Sequence, residues 1–246
     1  MKGLVALVML AGLAALPVRA ETPAQTCDVP GYLLTTESAL PKVEAVAKPG
    51  GKLNILVIGS RSSVIGVSDT SAAYPSRLQT YLRDKLPGVE INLALEIQVK
   101  KTAEEMLPSL ASLMEQRKPD LVIWQTGTVD AMTQADGDEF RSALDEGVGV
   151  MKKTGTDVVL MNLQYSPRTE TMISGSVYLD NMRVVAQQHD VPLFDRFGIM
   201  RQWNESGDFD LFSPSPGMEL AKRVHDCIGR ALATFVSDAA RIKPRI

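Results

Sequence analysis

Apolar positions along the chain change their spacing repeatedly, from unbroken runs to alternation to intervals of three and four, and each change marks an element. Leu53, Ile55, Leu56, Val57 and Ile58 form a near-continuous run that stops at Gly59. That pattern suits a strand buried on both faces of a parallel sheet. Ser60, Arg61, Ser62 and Ser63 follow at once, so they fall at the carboxyl end of a central strand, the edge where open α/β sheets place their ligands. Tyr74-Pro75 opens a helix with proline in its first turn; Leu78, Tyr81, Leu82 and Leu86 make its apolar stripe, and Pro87-Gly88 ends it. From Val89 to Lys100 apolar and mostly polar residues then alternate, the period of a strand with one wetter face near the edge of the sheet.

Thr102 and Glu105 are spaced as a capping box ahead of Met106, Leu110, Leu113 and Met114, predicting an amphipathic helix. Leu121 to Trp124 is a short buried strand that ends in a polar loop, Gln125 to Asp130. Phe140, Leu144, Val148 and Met151 mark a helix closed by Gly155, and Val158 to Met161 is a fourth strand followed by Asn162, Gln164, Tyr165 and Arg168. A helix around Met182 to Gln188, a strand from Val191 to Phe194, a segment through Trp203 and a last helix from about Met218 to Val236 complete the series. Strand and helix alternate throughout. Right-handed crossovers of this length predict an α/β, three-layer, doubly wound domain with about five parallel strands. Trp124 and Trp203 are expected in its core.

Composition adds the frame around that domain. Residues 1–20 carry one lysine, a long apolar centre and the small-residue ending Val18-Arg19-Ala20, which reads as a secretory signal peptide; Pro17 and Arg19 cut the run too short for a bilayer span. Residues 21–52, rich in proline and glycine, read as an N-terminal strap with one short helix near Val43 to Ala47, and 53–246 as the α/β domain. The mature part has no other apolar stretch long enough for a membrane span. A net charge of −3 without a Lys/Arg cluster argues against a nucleic-acid partner. Cys27 and Cys227 are the two cysteines; in a secreted, or periplasmic, protein a disulfide is the natural reading, with free thiols or a metal pair as the others. No metal and no cofactor are expected.

Three stretches resemble the SGNH, or GDSL-like, hydrolases: Ile58-Gly59-Ser60 after the first strand, Trp124 to Asp130, and the Asp208 to Met218 loop before the last helix. The resemblance covers most of the chain after residue 20. It implies a flavodoxin-like fold and, in active members, hydrolysis of ester or acetyl groups on lipids, glycans or small acyl substrates. It also implies a serine nucleophile, a histidine base held by an aspartate, and an oxyanion hole completed by glycine and asparagine. The residues at those places differ. The nucleophile's position is Arg61, the asparagine's is Val129, the histidine's is Ser213 in Asp210-Leu211-Phe212-Ser213, and the glycine has no counterpart between Ile97 and Thr102.

Two functions therefore follow from the sequence. One is a catalytically degenerate member that binds a glycan, an acyl ligand or an envelope partner through Arg61, Gln125, Thr126, Asp130, Asn162 and Gln164; Arg61 pairing with Asp130 or Asp210 is the structural alternative. The other is an active ester hydrolase with a displaced nucleophile, Ser60 or Ser62, supported by Asp210. Neither histidine fits a triad by position. His225 lies about seven residues into the last helix, which at ~1.5 Å per residue puts it ~10 Å from the loop end, and His189 lies at a helix end beside Asp190.

Overall fold

The computed structural model describes residues 27–66, 70–214 and 217–242; the expected leader at 1–20 lies outside them. Five parallel strands stand in the order β2-β1-β3-β4-β5: β1 Lys52–Gly59, β2 Glu90–Ile97, β3 Leu121–Gln125, β4 Asp157–Met161 and β5 Leu193–Phe194. The alternating strand is at the edge, as its wetter face requires, and the continuous apolar runs are inside. Because β2 lies on one side of β1 and β3 on the other, the chain reverses its direction of travel between them. The loops after β1 and β3 diverge there, which is where sheets of this order open a crevice.

Helices cover both faces. Alternation along β1 sends Leu53, Ile55 and Val57 into one apolar cluster and Leu56 and Ile58 into the other. The first cluster is closed by α1 (Pro41–Val46), α2 (Tyr74–Lys85), α8 (Arg196–Ser206) and α9 (Glu219–Ala239); the second by α3 (Ala103–Arg117), α5 (Gly137–Lys152) and α7 (Ser176–His189). Trp203 and Trp124 are fully buried, one on each side. Two short helices, α4 (Thr128–Thr133) and α6 (Pro167–Met172), follow β3 and β4 in stretches whose apolar pattern is too brief to announce them.

Residues 27–52 are tied to the domain along their length, at Leu40 by its N–H to the Ala239 carbonyl, at Gly50 by its N–H to the Gly88 carbonyl, and through Cys27, Asp28 and Val43. Cys27 and Cys227 form a disulfide across 200 residues of chain, Trp203 Nε1 donates to the Asp28 carbonyl at 2.8 Å, and Val43 N donates to the Asp157 carboxylate at 2.9 Å. On the chain-entropy account, closing so long a loop stabilises the fold by at most roughly 5 kcal/mol. Among the described residues no helix is long and apolar enough to cross a membrane.

Candidate functional site

The segment after β1 is a single 3-10 turn, Arg61–Ser63. Each residue of such a turn advances by a third of a revolution, so its three side chains point three ways. Arg61 turns outward, where its exposed guanidinium donates to the Gly66 carbonyl at 2.8 Å. Ser63 turns inward, fully buried, to the Gln125 amide and to the Tyr74 hydroxyl at 3.1 Å. Ser62, half-buried, borders a cavity of about 200 Å³ at the carboxyl edge of the sheet.

Gln125 closes β3 directly behind that turn. Its Oε1 accepts from Ser60 N at 3.4 Å, from Ser62 Oγ at 3.2 Å and from Ser63 Oγ, while its Nε2 donates to Ser60 Oγ at 3.3 Å. Ser60 is buried by this arrangement and does not reach the cavity. Gln125 thus staples the loop rather than facing a ligand.

The cavity's other polar groups come from elements far apart in the chain. Arg196 follows β5 and opens α8, Tyr74 opens α2, His225 lies on α9, and Gln164 and Ser166 follow β4. Met200, Leu211, Leu220, Val224 and Ile228 supply an apolar wall. Arg196 is buried; its Nη1 donates to Ser62 Oγ at 3.4 Å, and its Nε and Nη2 have no partner among the described residues. Burial lowers the Arg196 pKa to about 10, with the field of Tyr74 acting the other way, so it remains a cation at neutral pH.

His225 is where position along the helix misleads. Partly buried, it lies nearer the site than its distance along α9 suggests: its ring borders the cavity, and Nδ1 accepts from the Tyr74 backbone N–H at 3.0 Å. A backbone amide always donates, so neutral His225 carries its proton on Nε2. Burial, and next the Arg196 charge, push its pKa down to about 4. No hydrogen bond joins it to any serine of 60–63 among the described residues.

The remaining sequence candidates serve the scaffold. Asp130, buried, accepts from Ala103 N at 2.8 Å and Gly127 N at 3.2 Å, and desolvation raises its pKa against those bonds. Thr126 is buried beside it. Asn162 donates to Asp195 at 2.6 Å and accepts from Phe197 N at 2.9 Å. Asp210, exposed in its loop, accepts from Phe212 N and Ser213 N at 3.0 and 2.9 Å, and hydrogen bonds from Ser213 come first in lowering its pKa. Arg61 pairs with neither aspartate. Of the residues singled out from sequence at strand ends, Ser62, Gln164 and Tyr165 border the cavity; Arg196, Tyr74 and the apolar wall were missed, though Arg196 stands just past a strand's carboxyl end, the rule that selected Asn162.

His189 Nε2 donates to the Asp145 carboxylate at 2.8 Å at the far end of α7. Among the described residues no group of His, Cys, Asp and Glu is placed to hold a metal ion.

The sequence profile of the non-GDSL lipase-like family matches residues 26–242. No curated protein matches the chain in sequence. Solved structures do resemble it. An acetyl-xylooligosaccharide esterase from Geobacillus Stearmophilus superposes with a TM-score of 0.63 at 17% identity, covering 81% of this chain and 99% of its own. A lipase/acylhydrolase from Enterococcus faecalis gives 0.59 at 17%, covering 79% and 99%. A two-domain esterase active on acetylated mannans gives 0.67 at 15%, covering 85% of this chain and 55% of its own. At such identities the likeness establishes a shared fold, and chemistry must be argued from the site.

Proposed function

Because the chain belongs to the non-GDSL lipase-like family, we propose that it is a catalytically degenerate SGNH-type protein, exported from the cytoplasm, that binds an acyl ligand without cleaving it. One observation carries the proposal. Ser62, the serine of the β1 loop that borders the cavity, hydrogen-bonds an amide oxygen, a guanidinium and the Ser60 hydroxyl, none of which is a base that can take its proton. A serine hydroxyl attacks a carbonyl only when a base relieves it of that proton. His225, the one imidazole nearby, has spent Nδ1 on a backbone amide and is made a weak base by burial and Arg196.

Export is supported by the apolar leader pattern of residues 1–20 and by a disulfide that an oxidising compartment would preserve. The structural neighbours act on acyl groups of glycans and lipids in the words that describe them, and the apolar wall beside Ser62 suits the acyl part of such ligands.

A second reading keeps hydrolysis, since Ser62 and His225 border one cavity. Labelling with an alkyl fluorophosphonate and turnover of p-nitrophenyl butyrate separate the two. The proposal expects neither signal above background, with wild type and Ser62→Ala alike. Labelling and turnover that Ser62→Ala abolishes would make this an active esterase.

A further inference from the structure

Hydrolysis does not account for Arg196. Its side chain is 2% exposed, two of its three nitrogens lack a partner among the described residues, and the third meets a neutral hydroxyl. The described lining of the cavity contains no carboxylate to balance it: beyond Arg196 the polar groups there are hydroxyls, an amide and His225. Proteins hold a buried charge when something pairs with it. A guanidinium beside a serine hydroxyl presents a cluster of donors, and a carboxylate is the acceptor whose charge and shape match them. The rest of the space is walled by Met200, Leu211, Leu220, Val224 and Ile228, which offers contact to a hydrocarbon tail.

We propose that the cavity binds a short-chain carboxylic acid, its carboxylate on Arg196 and Ser62 and its tail against Leu220 and Val224. The proposal rests on the non-hydrolytic reading above and sharpens it. An ester brings no charge to Arg196, whereas the free acid does, so the preferred ligand is the acyl product of ester cleavage and not the ester.

Calorimetric titration of the folded protein with sodium hexanoate, methyl hexanoate and sodium glucuronate tests this. Hexanoate is expected to bind at least tenfold more tightly than its methyl ester, a difference of about 1.4 kcal/mol, and glucuronate not to bind. Arg196→Met is expected to weaken hexanoate at least tenfold. The acid-to-ester comparison uses the wild-type protein, so it stands even where that variant fails to fold. Leu220→Gln, at the partly exposed rim, is expected to weaken hexanoate while leaving the melting temperature within a few degrees.

Equal affinity for acid and ester, no hexanoate binding, or unchanged affinity in folded Arg196→Met would overturn the proposal. So would glucuronate binding in place of hexanoate. Asp69 is the one carboxylate in the stretch 67–69. Asp69→Asn is expected to leave hexanoate affinity unchanged, and a many-fold gain would mean that Arg196 has its anion within the chain. Hydrolysis of p-nitrophenyl hexanoate that depends on Ser62 defeats the non-hydrolytic reading by a separate signal, so the two failures are distinguishable.

Discussion

At the scale of single residues, two acceptors decide what the site can do. The Gln125 oxygen takes hydrogen bonds from two serine hydroxyls and one backbone amide, holding the turn after β1 in a shape in which Arg61 leaves the cavity and Ser62 enters it. His225 Nδ1 takes the Tyr74 amide, which fixes its tautomer. The second contact has a consequence for stability. With a native pKa of about 4 against an ordinary 6.5, the unfolded chain binds a proton at His225 as pH falls from about 6.5 towards 4 and the native protein does not. Stability present above pH 6.5 is therefore lost across that window, on the order of 2–3 kcal/mol. Denaturant melts between pH 7.5 and 4.5 should show a steeper loss for wild type than for His225→Gln; equal slopes would place His225 in a more solvated setting.

At the scale of elements, the cavity depends on how closely α9 approaches α2. A Cβ on Gly229 would lie 2.5 Å from Arg77 Cβ and 2.9 Å from the Leu78 backbone nitrogen, and backbone cannot yield as a flexible side chain does. One turn earlier on α9, Asp226 accepts from Arg77 and from the Tyr81 hydroxyl, and His225 lies beneath the first turn of α2. Gly229→Ala is expected to cost about 1–3 kcal/mol through overpacking and to move the His225 pKa upward as its packing loosens. Thermal melts and an NMR titration of the imidazole check both; an unchanged melting temperature would show that the helices separate freely. This approach explains why the sequence misplaced His225. Helical rise measures distance along α9, but the contact is made across it, by a helix that starts 151 residues earlier.

At the scale of the molecule, hydrophobic spacing made the architecture legible. Continuous runs named the interior strands, alternation named β2 as an edge, and the Thr102–Glu105 box marked the start of α3, where it is formed. The disulfide was legible from two cysteines and a leader pattern. The site was less so. Two of the residues chosen after β3 and β4, Asp130 and Asn162, accept from backbone groups that a buried loop must satisfy, and Gln125 is taken up by the serines of the β1 loop. Arg196 and the apolar wall were hidden because they gather from β5, α8 and α9 through tertiary packing that no local pattern encodes.

The proposed function requires a binding cavity with no base to activate Ser62. The chain holds two histidines: His189 is bonded to Asp145 at the far end of α7, and His225 is fixed by Tyr74. Long-range nitrogen-15 NMR of the two imidazoles, assigned with His189→Asn, is the measurement that decides this. His225 is expected to hold the Nε2–H tautomer from pH 5 to 8 and to protonate near pH 4. A protonated Nδ1 with a free Nε2, or a titration near pH 7, would give Ser62 its base and contradict the proposed function.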